Sequence, residues 1–240
     1  MTYFEKNGSN VWPFRTKCIP LYSENNVNSI VIMKTIAQKV AQSLLQIKAI
    51  KLSPANLFTW ASGWHSPIYC DNRKILSYPE VRRQVYEGFA EMIAAKYPDA
   101  DVIAGVATGA IAHGVLVAEK MGKPFIYVRS APKGHGLGNQ IEGYLPEGAK
   151  VVVVEDLVST GVSSLSAVEA LRAAGADVMG MVAIFTYGFP IAAEAFEKAG
   201  VTLDTLSNYE TMIPLAAAEG YVSDSDMAFL QEWRKAPDKF

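Results

Sequence analysis

Val151-Val152-Val153-Val154-Glu155-Asp156-Leu157-Val158-Ser159-Thr160-Gly161-Val162-Ser163 is the stretch whose reading decides the fold. The run of β-branched residues predicts a short buried strand over 151–154. It empties into two adjacent carboxylates and then into a small, hydroxyl-rich turn. A helix over 163–174 follows, with Ser163 or Ser164 as its N-cap and Leu165, Val168 and Leu171 at helical spacing. A helix N-terminus ringed by free N–H groups and hydroxyls takes anions, phosphate above all. Acids beside such a turn make sense if the ligand also carries hydroxyl donors. A sugar phosphate fits both, its phosphate on the turn and its cis-diol on Glu155 and Asp156.

Working outward, the pattern alternates strand and helix. A helix from Lys34 carries Ile36, Val40, Leu44 and Ile47, and a turn-rich segment runs from Ser53 to Tyr69. Ser77 and Glu80 predict a capping box for a helix that buries Val81, Val85, Phe89 and Ile93. Then come strand 102–106, helix 110–121, strand 125–129, a glycine-rich loop and the 151–154 strand with its helix. Strand 178–186, helix 190–199, strand 201–206 and two closing helices complete the chain. Such alternation predicts an α/β fold, a central mostly parallel sheet with helices on both faces. In such sheets ligands sit at the carboxyl ends of the strands, where the 107–110 turn, the 129–143 loop and the 155–163 turn all fall.

Half of the 240 residues are apolar and the net charge is −2, so a sizeable core is expected and no basic footprint invites nucleic acid. Cys18 and Cys70 are too few for a disulfide framework, which favours a reducing cytoplasm. No apolar run approaches the ~18 residues of a bilayer span. Residues 1–32, rich in Asn, Ser and isolated aromatics, lack periodicity, and a clean amphipathic pattern begins at Met33. The expectation is a poorly structured extension over 1–32 and one domain over 33–240. An upstream reading of the start codon would account for it, and an intact mass from the native host that includes residue 1 or 2 would sink that explanation.

A second stretch, Arg129-Ser130-Ala131-Pro132-Lys133-Gly134-His135-Gly136-Leu137-Gly138-Asn139-Gln140-Ile141-Glu142-Gly143, sets three cationic or imidazole side chains among glycines, the composition of a mobile cationic flap. The 151–163 run resembles the signature of type I phosphoribosyltransferases. The flap resembles the catalytic loop of the orotate phosphoribosyltransferases. With Ser66-Pro67-Ile68-Tyr69-Cys70-Asp71-Asn72-Arg73, the resemblance covers residues 34–240. It implies the type I phosphoribosyltransferase fold with a small N-terminal hood, and transfer of phosphoribosyl from phosphoribosyl pyrophosphate to orotate in UMP synthesis.

By this resemblance Arg129, Lys133 and His135 grip the pyrophosphate, Glu155 and Asp156 hold the ribose hydroxyls, and Thr160, Gly161 and Ser163 hold the 5-phosphate. Leu157, Val158, Ser159 and Val162 complete the phosphoribosyl pyrophosphate motif. Lys133, His135 and Asp156 would be catalytic. Ser159, Tyr69 and Cys70 would meet orotate, with Arg73 the guanidinium nearest in sequence for its carboxylate. The resemblance also implies a homodimer in which the 129–143 loop serves the neighbouring site. Mg²⁺ would be carried by the substrate, with no dedicated protein metal site. The chain departs from some members at Ala61, Gly109 and Ser130, where lysines can stand. It departs again at Thr186-Tyr187-Gly188, where some use an arginine. Another base (adenine, hypoxanthine or uracil) or a non-catalytic transcriptional sensor are the competing readings. The loop favours orotate over the first. Lys133, and an N-terminal extension without a helix-turn-helix, oppose the second.

Overall fold

The computed structural model describes residues 34–130 and 140–240. The extension expected over 1–32 and loop residues 131–139, with Lys133 and His135, lie outside the described residues.

Helix α1 (Ile36–Gln46) opens on a capping box between Thr35 and Gln38. It buries Val40 and Leu44, while Ile36, the first residue of the expected stripe, stays 43% exposed. The turn-rich segment is a hood of short strands: β1 (Ile50–Leu52), β2 (Phe58–Thr59), β3 (His65–Ser66) and β4 (Ile68–Cys70). Within it β1 pairs antiparallel with β4 and β2 with β3. A 3-10 turn, Asn72–Ser77, leads to α2 (Pro79–Lys96). The capping box expected from Ser77 and Glu80 does not form. Ser77 still belongs to the preceding turn, Tyr78 takes the cap position, and Glu80 pairs with Arg83 at 2.8 Å.

The alternating part follows the sequence pattern closely: β5 (Val102–Val106), α3 (Ile111–Met121), β6 (Phe125–Val128), β7 (Ile141–Glu142), β8 (Lys150–Val158), α4 (Val162–Ala173), β9 (Asp177–Thr186), α5 (Pro190–Ala199), β10 (Leu203–Asn208), α6 (Tyr209–Ala218) and α7 (Met227–Lys235). Strand order in the main sheet is β10-β9-β8-β5-β6-β7, parallel except for β7 against β6. The crossovers β5→β6 and β8→β9 run in opposite directions along the sheet. Right-handed connections then put α3 and α4 on opposite faces. The order reverses between β5 and β8, so a crevice opens beyond their carboxyl ends. Beneath it, Val151 to Val154 and Val182 to Phe185 are fully buried.

Two expectations change here. The strand does not stop at Val154: β8 runs on through Glu155 and Asp156, with Leu157 opposite Phe185 and Val158 opposite Thr186 on β9. This extra pairing is available because β9 is equally long, which a single strand's composition does not reveal. Helix α4 also starts one position early. Gly161, at φ 84, holds the cap position, and the Leu165 N–H reaches the Gly161 carbonyl at 2.8 Å.

Candidate active site

The end of β8 delivers two unlike carboxylates. Glu155 is 4% exposed; its Oε2 accepts from the Ser164 hydroxyl at 2.8 Å and its Oε1 from the Asp156 N–H at 2.8 Å. Burial, then the neighbouring Asp156 charge, pushes its carboxyl well above the usual range. Asp156 is half-buried, and its carbonyl accepts from the Asn72 side-chain amide. Asn72 itself is 1% exposed and accepts from Cys70 Sγ at 3.3 Å. The hood is thereby tied to the strand that carries the acid.

Three other elements converge on this point. The turn after β5 passes so close that any Cβ on Gly109 would overlap the Asp156 carboxylate. The Ala107–Thr108 peptide in that turn is cis. Ser159, Thr160 and Gly161 form the turn into α4, whose first residues Val162 and Ser163 are exposed, leaving the helix's leading N–H groups open to a ligand. Gly161 is required there twice, by its positive φ and because a Cβ would lie 2.9 Å from Phe196. On α3, His113 is wholly buried, neither ring nitrogen bonds to a described residue, and burial lowers its pKa. It is the packed histidine its apolar neighbours predict.

Beside Asp156 opens a cavity of about 480 Å³. Tyr69, Cys70 and Ser159, the three residues expected to meet orotate, all line it, together with Thr59, Trp60, Ala61, Leu157 and Tyr187. Burial pushes the Cys70 thiol up, with Asp156 adding to it. Trp60 stacks on Tyr187 at 5.0 Å and its Nε1 donates to the Ile68 carbonyl, so it closes a core edge and walls the cavity at once. Arg129, at the loop's described end, pairs with Glu142 at 3.5 Å. Among the described residues no three acidic, His or Cys side chains converge on a metal position. Glu155 and Asp156 offer the one or two hard oxygens that Mg²⁺ takes alongside substrate phosphates.

A family model, the phosphoribosyl transferase domain, matches residues 77–207. An orotate phosphoribosyltransferase from Phocaeicola vulgatus is 58% identical over 205 residues, which is 85% of this chain and 97% of that one. The chain belongs to the orotate phosphoribosyltransferases. Among solved structures, the orotate phosphoribosyltransferase from Aeropyrum pernix superimposes with a TM-score of 0.67 at 29% identity, covering 77% of this chain and 99% of that one. UMP synthase from Leishmania donovani gives 0.68 at 29%, over 82% of this chain, which spans 42% of that longer protein.

Among the described residues, the lining of the cavity beside Asp156 holds hydroxyls and a thiol but no lysine, arginine or histidine. Arg73 is not part of it. The Arg73 side chain is 61% exposed and its Nε donates to Asp71 at 2.8 Å. Tyr187, which the sequence did not single out, does line the cavity. It follows the end of β9, beside the turn after β8, but neighbouring strands cannot be read from one strand's sequence. Ser164 and Asn72 were missed for the same reason, since each acts across elements.

Proposed function

We infer that this protein transfers the phosphoribosyl group of phosphoribosyl pyrophosphate to orotate, releasing pyrophosphate and forming orotidine 5′-monophosphate in UMP synthesis. The observation that carries the reading is a base-sized cavity next to Asp156 and the α4 turn, in a chain 58% identical to an orotate phosphoribosyltransferase over 97% of that relative.

The roles follow from charge. Breaking the bond between ribose C1 and pyrophosphate builds positive charge on the ribose and negative charge on the leaving group. Asp156 and the more deeply held Glu155 take the ribose hydroxyls and stabilise the first. Thr160, Gly161 and Ser163, at the head of α4, take the 5-phosphate through their N–H and hydroxyl groups. Leu157 and Val158 shape the floor. Val162, 75% exposed, presents its N–H at the same turn. Tyr69, Cys70 and Ser159 wall the base. Arg129, with Lys133 and His135 from outside the described residues, takes the pyrophosphate. Mg²⁺ would be carried by the substrate, with Asp156 the carboxylate placed to meet it, and would supply positive charge against the pyrophosphate. The working form is a homodimer, each 129–143 loop serving its neighbour, in a reducing cytoplasm suited to the free Cys70 thiol.

A base panel with phosphoribosyl pyrophosphate and Mg²⁺, followed by product absorbance, tests the reaction. Turnover is expected with orotate alone. Turnover with adenine, hypoxanthine or uracil but none with orotate would overturn it.

A further inference from the structure

Orotate differs from uracil by a carboxylate, and a cavity selective for it needs a donor at that group. Among the described residues, the lining provides no lysine, arginine or histidine. Its side-chain donors are the hydroxyls of Thr59, Tyr69, Ser159 and Tyr187, the Cys70 thiol, which already donates to Asn72, and Trp60 Nε1, which already donates to the Ile68 carbonyl. Tyr69 is 41% exposed, whereas Tyr187 is 2% exposed.

Tyr187 is also the most rigidly held. Its ring stacks on Trp60 at 5.0 Å and Phe189 at 5.3 Å, and meets Phe185 at 5.8 Å and Trp233 at 6.2 Å edge-on. Its N–H donates to the Val158 carbonyl at 3.3 Å and its carbonyl accepts from Arg234 Nε at 3.1 Å, which fastens it beside the Ser159 turn. Against this, its hydroxyl bonds to no described residue. Nor is that hydroxyl sealed in, because the wholly buried side-chain atoms without partners among the described residues are the two ring nitrogens of His113. A buried, fixed donor that faces a cavity without a partner is built for a ligand.

We propose that the Tyr187 hydroxyl donates to the carboxylate of orotate and is the residue that distinguishes orotate from uracil. The assignment rests on the reaction given above. Burial holds the phenol well above its ordinary pKa, so it stays a donor throughout the working pH range. A neutral donor here also avoids placing a cation next to the positive charge that develops on the ribose.

Tyr187→Phe removes one oxygen and keeps every ring contact. The expected result is a KM for orotate raised roughly 10- to 100-fold, the scale of one hydrogen bond to a charged acceptor. KM for phosphoribosyl pyrophosphate should stay within about twofold and the melting temperature unchanged. Uracil, measured as a competitor of orotate, should bind wild type and variant alike. An unchanged KM for orotate overturns the proposal. Equal weakening of orotate and uracil overturns it too, since the hydroxyl would then touch the ring. A melting temperature several degrees lower, with both substrates weakened together, would make the residue structural. A wild type that does not turn over orotate would instead sink the functional reading, which the base panel establishes separately.

Discussion

Glu155 and Asp156 are adjacent in sequence but their surroundings set them different tasks. Asp156 is half-buried and open to a ligand, so Asp156→Asn should cost turnover about 3 to 4 kcal/mol of barrier, the scale of one lost electrostatic contact in a transition state, with little change in melting temperature. Glu155 lies deeper, 4% exposed, and burial, then the Asp156 charge, pushes its carboxyl well above the usual range. Its pKa in the folded chain lies above its unfolded value. As pH rises past the ordinary value of 4.5 the unfolded chain sheds the proton first, and stability falls. Glu155→Gln keeps the Ser164 contact but carries no charge to desolvate. It should therefore melt a few degrees higher than wild type at pH 7, given about 2–4 °C per kcal/mol in a domain of this size. That gap should close below pH 4.5, while turnover drops at least tenfold. A variant less stable than wild type at pH 7 would mean the carboxylate is needed to hold β8 to α4.

Between elements, the tightest constraint is where the turn after β5 meets the end of β8. Gly109→Ala puts a methyl group into the Asp156 carboxylate. Asp156 can rotate away at little cost to folding, so the melting temperature should change by no more than about 2 °C while turnover falls at least tenfold. Normal turnover in Gly109→Ala would show that Asp156 works from another position. This contact explains what the sequence could and could not disclose. The hydrophobic periods placed β5, α3 and α5 to within a residue and announced two closing helices without their bounds, because burial on one face leaves a period in the chain. The long reach of β8, the early start of α4 after Gly161 and the missing Ser77–Glu80 box escaped it. Each depends on a neighbour: the length of β9, Phe196 beside Gly161, the 3-10 turn that absorbs Ser77. The same holds for the site. Glu155, Asp156 and the α4 turn form one continuous motif and were legible, whereas Tyr187 joins it through the sheet order, Asn72 through a hydrogen bond from the 3-10 turn, and Ser164 through the packing of α4 on β8.

At the scale of the whole molecule, the described residues hold the acid, the turn proposed for the phosphate and the cavity proposed for the base within one chain, but of the proposed pyrophosphate grip they hold only Arg129, paired with Glu142. Lys133 and His135 complete it by the proposal, and the remaining question is which subunit they serve. Take one chain with Lys133→Ala and another with Asp156→Asn, each nearly inactive as a homodimer. If the loop crosses to the neighbour, a mixed dimer puts both lesions into one site and leaves the other intact. The Asp156→Asn chain lends its lysine to the sound acid of the Lys133→Ala chain. If the loop serves its own chain, each site keeps one lesion and nothing is regained. Mixing under conditions that exchange subunits should therefore restore activity to about half the wild-type rate per heterodimer, because the residual activity of singly damaged sites is smaller by the roughly two to three orders of magnitude that one lost electrostatic contact costs. Heterodimers shown by native mass to form, yet without recovered turnover, would place each complete site within a single chain.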